Sequence, residues 1–522
     1  MIKKKYENFS QIFMVIKIRP TTPCRYFDAK YLRQLLSFIF LIPVLLWSQK
    51  YYKDLTYPPL GTIEMPEATT VSLKNGMQLI LIEDHELPFI RMQAEFFAGS
   101  FWGDPDDKIG LASMTGEVMR SGGSIQMSGD EIDEALEAIA ATVEIWIDQV
   151  DGGASVSTLK DHFDKVAGIF ADILRNPAFP EDKIELAKVQ AKSAISRRND
   201  DPGEIARREF YKIIYKNCAL YRDEAYHTID AITRDDLVSF YKKWVRPNGM
   251  IIGIWGDFKT RAMIHKLKDL FEDWQPVSDP IPKQVNVPYE YEYSVNLVEK
   301  TDVNQSNIYI GHLGGTKKIG PNNQSEDYAA LLMMNQILSG GFSSRLFSNV
   351  RSDQGLAYAV YGGYGTHYSY PGVFYTHSRT QSGRTVEAIR AMLKEIRLIT
   401  ETLVTDEELS RAKEGWLNSY VFNFNQVGKI ANRLLQYTYH GYPDNFLQQI
   451  RKDVENVTRE DVLRVAQTYL EADQVHILVV GNSSDFDAPL SELGDVNTID
   501  ITIPAPVEET INASDANAEK GI

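Results

Sequence analysis

Thr233-Arg234-Asp235-Asp236-Leu237 is followed by the run Met250-Ile251-Ile252-Gly253-Ile254-Trp255-Gly256-Asp257. The same order recurs as Thr458-Arg459-Glu460-Asp461-Val462 and then Val475-His476-Ile477-Leu478-Val479-Val480-Gly481-Asn482. Both matches stand 225 residues apart (458 − 233 and 481 − 256). A third, Ala187 in Glu185-Leu186-Ala187-Lys188 against Ala412 in Ser410-Arg411-Ala412-Lys413, keeps that offset (412 − 187). Three matches at one offset imply a duplicated domain, and the period is too long for a solenoid. In each copy the Thr-x-x-Asp motif predicts a helix start, with Thr233 or Thr458 as cap and Asp236 or Asp461 at the positive helix end. The β-branched apolar run after it predicts a buried strand.

Amphipathic helices stand earlier in each copy. Residues 162–174 place Phe163, Val166, Ile169, Phe170 and Ile173 on one face, and residues 386–399 do the same with Ile389, Met392, Ile396 and Ile399. The helices come mostly in consecutive pairs instead of alternating with single strands. That favours an α+β fold of two homologous layered domains over a doubly wound sheet. The expected organisation is a signal sequence or anchor with linker over 1–56, a first domain over 57–275, a linker over 276–290, a second domain over 291–485 and an acidic disordered tail over 486–522. The linker carries Pro276, Pro280, Pro282 and Pro288 and reads as extended.

Composition narrows the function. The 522-residue chain has a net charge of −16, with 43% hydrophobic and 24% charged residues, which suits a globular protein and disfavours a nucleic-acid partner. Its negative field either favours basic peptides or serves solubility alone. Arg25, Lys30 and Arg33 precede an apolar run from Leu35 to Trp47. That run is shorter than the about 20 residues a spanning helix needs, and it suits a secretory signal or an uncleaved N-terminal anchor. Either places the body of the chain outside the cytoplasm, periplasmic or otherwise extracytoplasmic. Of Cys24 and Cys218 only the second remains after cleavage of a leader, so no disulfide is expected.

Chemistry-bearing motifs appear at matching places in the two halves. The first holds Phe97-Ala98-Gly99-Ser100, Asp104-Pro105 and Gly110-Leu111-Ala112; the second holds Ser339-Gly340-Gly341-Phe342-Ser343-Ser344-Arg345-Leu346-Phe347, Arg351 and Gly355-Leu356-Ala357-Tyr358. Ser339-Gly340-Gly341 lacks the Gly-Lys-Ser/Thr ending of a phosphate loop and reads as a turn that holds Ser344 and Arg345. Together these strings resemble the pitrilysin/insulinase-type (inverzincin) metallopeptidase family over roughly residues 57–485. The resemblance implies two family-type domains forming a clamshell half.

In active members of that family Gly-Leu-Ala leads into His-x-x-Glu-His. Two His at i and i+4 share one helical face and one zinc ion, the Glu activates the bound water, and a later Glu completes the ligands. Here Ser113, Gly116 and Glu117 stand at the first His, the Glu and the second His. The later ligand position falls at Ser193 or Ala194, and no two of the nine histidines are four apart. The resemblance therefore implies a non-catalytic homologue that binds no metal itself. Glu117 reads as a helix-surface carboxylate, since without a metal one Glu is a weak catalyst.

Arg351 and Tyr358 keep the spacing of the family's second-domain pair, which the resemblance implies holds substrate carbonyls. An Arg fork and a phenol suit that task, and Gly355 allows the turn between them. The tyrosines at 358, 361 and 364 and at 368, 370 and 375 either line a peptide chamber or are ordinary strand residues. Thr142 to Ile147 corresponds to the family strand that accepts substrate as an added strand.

The expected function is that of a substrate-binding subunit, inactive alone, that supplies Arg351 and Tyr358 to a homologous zinc-bearing partner acting on peptides. The alternative is a binding or scaffold protein of the cell envelope. An independent peptidase with unusual ligands finds no supporting His/Asp/Glu cluster.

Overall fold

The apolar runs form two mixed sheets in the computed structural model, which describes residues 65–216, 218–281, 285–317 and 326–504. These residues all fall in the unit Glu64–Ile522. The apolar run Leu35–Trp47 lies outside the described residues. Among those described, no helix is long and apolar enough to cross a membrane.

The first sheet comprises β1 (Ala68–Ser72), β2 (Gln78–Glu83), β3 (Phe89–Phe96), β4 (Thr142–Ile147), β5 (Gly152–Leu159) and β6 (Ile251–Gly256), in the order β1-β2-β6-β3-β5-β4. The second comprises β7 (Ser294–Glu299), β8 (Gln305–Leu313), β9 (Gly315–Thr316), β10 (Ala357–His367), β11 (Pro371–Gln381), β12 (His476–Gly481) and β13 (Val496–Thr498), in the order β13-β7-β12-β8-β11-β10-β9. Without β1 in the first sheet and without β13 and β9 in the second, the two orders are the same. In each, the late strand is fully buried. It runs parallel to one neighbour and antiparallel to the other. Sheets buried on both faces need such continuous apolar runs. β6 and β12 begin 225 residues apart (476 − 251).

The helices that position the site are α1 (Leu111–Gly122), α2 (Phe163–Arg175), α3 (Glu181–Arg197), α4 (Pro202–Ile214), α5 (Arg234–Trp244), α6 (Thr385–Glu401), α7 (Asp406–Tyr420), α8 (Val427–His440) and α9 (Arg459–Tyr469). α3 and α7, α4 and α8, and α5 and α9 each start 225 residues apart (406 − 181, 427 − 202, 459 − 234). Both Thr-x-x-Asp motifs are full capping boxes: Thr233 and Thr458 accept the N3 amide while Asp236 and Asp461 accept the cap amide. The amphipathic stripes of α2 and α6 are buried as their periodicity requires.

The halves exchange helices. α8 packs Ile430, Leu434 and Leu435 against Ile80, Ile82, Ile251 and Trp255 of the first sheet. α4 packs Ile205 and Phe210 against Tyr309, Leu478 and Val480 of the second, with the Phe210 and Tyr309 rings 5.1 Å apart. Each such buried apolar side chain contributes about 1.5–3 kcal/mol. Along the border of the α8 seat, Gln436 donates to Glu95 at 3.0 Å and Tyr439 to Asp151 at 2.7 Å.

Among its described residues the proline-rich segment has no helix or strand between Phe271 and Ser294. It is tied down all the same: Asn248 exchanges two hydrogen bonds with Val277, and Val285 and Val287 are buried.

The tail requires a correction. The expectation of disorder from residue 486 does not hold, because the tail is packed as far as Ile503. Asp487 accepts the Val386 and Glu387 amides at the start of α6. β13 runs parallel to β7, and Asn199 of the first half donates to the Ile501 carbonyl at 2.6 Å. The acidity that suggested disorder is partly a capping carboxylate. The alternation of Ile499, Ile501 and Ile503, half-buried against the two cores beyond β13, is the packing signal that composition concealed. Residues 505–522 lie outside the described residues.

Candidate functional site

Asp104 sets the position of α1. Its carboxylate accepts the Gly110 amide at 2.9 Å and the Ala112 amide at 2.8 Å. Burial pushes it up to about 6 against the pull of these two amides. Arg222 locks the preceding turn through the Ser100 and Asp104 carbonyls. Gly110, at φ 106°, adopts the left-handed conformation that starts the helix, which glycine tolerates best.

The first turns of α1 and the middle of α3 then face a hollow of about 260 Å³ that includes Ser113, Glu117, Gln190, Ala194 and Glu224. Ser113 donates to the Gly110 carbonyl at 3.1 Å and to Glu224 at 3.2 Å. Burial, with Glu224 nearby, raises the Glu117 carboxyl. Burial likewise raises Glu224, offset by the Ser113 hydroxyl. Of the two positions expected for the later ligand, Ala194 faces the hollow. Ser193 instead accepts from Arg197 at 3.1 Å. Gln190 and Glu224 had escaped the sequence reading: Gln190 lies one turn before the counted position, and Glu224 sits in an irregular segment with no periodic signal.

Gly116 is not part of the hollow. It backs onto β4, where an added Cβ would stand 2.8 Å from the Ile147 amide nitrogen. A glutamate cannot be seated there without moving helix or strand. The hollow thus offers a hydroxyl, two carboxylates, an amide, a methyl group and no imidazole, and among the described residues no three His, Cys, Asp or Glu gather to hold an ion. Zinc sites are built from Cys, His and carboxylate ligands, and these residues do not fit that ion. No step through a metal follows for this chain.

Among the described residues β4 is the edge of the first sheet and pairs only with β5. Arg120 donates to the Val143 carbonyl, so one backbone acceptor of β4 is already engaged.

In the second half, Arg351 lies on a helix over Leu346–Asp353 and Tyr358 near the start of β10. Gly355, at φ 63°, makes the turn between them. The Arg351 guanidinium sits 4.5 Å over the Phe347 ring, and it has no ion pair among the described residues. Tyr358 is 67% exposed, and its ring lies 5.0 Å from the Arg379 guanidinium. Both polar heads therefore stay available as donors. Arg345 is different: it forms a two-pronged pair with Glu408 at 2.7 and 3.1 Å. Burial would raise Glu408, but the guanidinium and the Thr405 amide hold it down to about 2. Ser344 donates to the Gly341 carbonyl at 2.8 Å, so Ser339 to Gly341 is a structural turn. Of the tyrosines, Tyr358 and Tyr361 are exposed while Tyr370 is buried.

Two family models match the chain in tandem, "Insulinase (Peptidase family M16)" over 81–225 and "Peptidase M16 inactive domain" over 231–415. The chain belongs to the insulinase family. Among curated relatives this insulinase-family chain is 24% identical to a Helicobacter pylori protein named non-peptidase homolog YmxG, covering 77% of this chain and 91% of that one. It is 27% identical to an uncharacterized zinc protease of Rickettsia bellii, over 67% and 82%. Two solved structures share the fold. One is a peptidase M16 inactive domain from Pseudomonas fluorescens (TM-score 0.73, 23% identity, 81% of this chain and 99% of that one). The other is the periplasmic protease PqqL of Escherichia coli (TM-score 0.67, 15% identity, 83% and 50%).

Proposed function

We propose that this insulinase-family chain is a non-catalytic, substrate-binding subunit that holds peptide for the zinc of a homologous partner. The observation that carries the reading is the contrast between the halves. The metal side has lost its imidazoles and has no room for the glutamate at Gly116, whereas Arg351 and Tyr358 keep unspent donors. A guanidinium and a phenol aimed at a substrate carbonyl stabilise the oxyanion that develops during attack. The name of the Helicobacter relative supports the absence of peptidase activity. The partner carries the zinc and the activating glutamate. The edge of β4 is the candidate seat for an added strand, although α1 already engages it at Val143 through Arg120 and lies against it at Ile147 through Gly116. The apolar run Leu35–Trp47 supports a site of action outside the cytoplasm, and the E. coli neighbour is a periplasmic protease.

The test is a partner-dependent cleavage assay with Arg351→Ala and Tyr358→Phe. Loss of an oxyanion donor costs about a hundredfold in kcat, and that is the expected fall. Wild-type rates in both variants would favour a scaffold role in the cell envelope.

A further inference from the structure

Asn307 is a buried amide without a partner. It lies on β8 at 5% exposure, and its side chain makes no hydrogen bond among the described residues. It faces a cleft of about 610 Å³ whose walls include Asp201, Gly203, Asp302, Arg379 and Asp485. A Cβ on Gly203 would stand 3.7 Å from the Asn307 Oδ1, so the amide points at the first turn of α4. The amide meets the cleft's solvent, so both its donor and its acceptor are free for a ligand to engage.

The charges around it are unequal. Asp201 accepts from the Glu204 backbone N–H at 2.9 Å, and Asp485 accepts from the Asn482 side-chain Nδ2 at 2.8 Å, with one oxygen each. Each keeps its other oxygen unspent. Asp302 is matched by Lys300 at 3.1 Å. Arg379 is the one cation lining the cleft, and its guanidinium is set over the Tyr358 ring. Asp201 and Asp485 therefore outweigh Arg379, and the cleft favours a positive group that donates hydrogen bonds to the carboxylates and to Asn307. Arg379 also stands between the cleft, which it lines, and Tyr358, whose ring is 5.0 Å from its guanidinium.

We propose that this cleft is a subsite for a cationic group of the bound peptide, an amino-terminal ammonium or a Lys or Arg side chain. The proposal rests on the peptide-holding reading for the identity of its ligand. Its charge preference is a separate property.

The experiment is fluorescence anisotropy with the full chain at low salt. The probe is a short unstructured peptide, labelled at its C-terminus, with a free amino terminus and one lysine. Its twins carry an acetylated terminus, an acetylated lysine, or glutamate in place of lysine. Acetylating the group that enters the cleft weakens binding about two- to fivefold, the size of a partly exposed ion pair, and shows which source supplies it. Asp485→Asn reduces that ratio towards one, and Asn307→Asp, which adds a carboxylate, increases it. Should Asn307→Asp not fold, Asp485→Asn carries the test alone. An unchanged ratio in Asp485→Asn, no ratio in the wild type, or preference for the glutamate twin overturns the subsite. Arg351→Ala keeps the ratio while weakening all twins. If it binds all twins as the wild type does with the ratio intact, the gripping role fails and the subsite stands.

Discussion

A Cβ on Gly116 would meet the backbone of β4 at 2.8 Å, and backbone yields less readily than a flexible side chain. Gly116→Ala is therefore expected to destabilise the chain by about 1–3 kcal/mol, the cost of overpacking, as read by urea unfolding. The same contact predicts that Ser113→His with Gly116→Glu and Glu117→His does not restore a tight zinc site, which metal analysis after dialysis checks. The loss of the donors was legible from Ser113, Gly116 and Glu117 alone, because ligand chemistry is a matter of residue type. The closure at Gly116 was not, because it depends on the helix-to-strand distance that no local pattern records. Arg351 and Tyr358 were singled out through the family resemblance, and their role is a proposal. That Tyr358 rests against Arg379 required the register of β10 on β11, where Ala359 pairs with Arg379.

α8 is the element whose seat depends most on protonation. Glu95 is raised to about 7, first by burial and then by Asp151 and Asp148; Asp151 is raised to about 6, mainly by burial. A carboxyl whose folded value lies above its unfolded one binds more protons in the native state over that interval. Its contribution to stability is thus full below the unfolded value and is lost as pH rises through the folded one. Glu95→Gln should match the wild type near pH 4 and exceed it, by on the order of 2 kcal/mol, at pH 8. Thermal melts at the two pH values measure this, and an equal offset at both contradicts it. The helices themselves were readable from capping motifs and periodicity. Which sheet α4 and α8 cover was not, since an apolar stripe states that a face is buried and not against what. The tail misled for a related reason: its acidic composition outweighed the alternation at Ile499, Ile501 and Ile503, and the Asp487 cap on α6 exists only in three dimensions.

Across the whole molecule, duplication and helix exchange make each half depend on the other. Without α8 the first sheet exposes Ile80, Ile82 and Ile251, and without α4 the second exposes Leu478 and Val480. Phe210→Ala, at a fully buried position, is expected to cost about 3–5 kcal/mol and to lower one shared unfolding transition. Two separate transitions by calorimetry contradict that coupling. The duplication itself was the most legible feature, since the 225-residue offset in α3, α4, α5 and β6 survives as sequence. The most direct test of the central claim is peptide cleavage by the purified chain, alone and mixed with a homologous subunit that carries His-x-x-Glu-His. The expected result is no cleavage by this chain alone and chelator-sensitive cleavage by the mixture that falls with Arg351→Ala. Chelator-sensitive cleavage by this chain on its own contradicts the account.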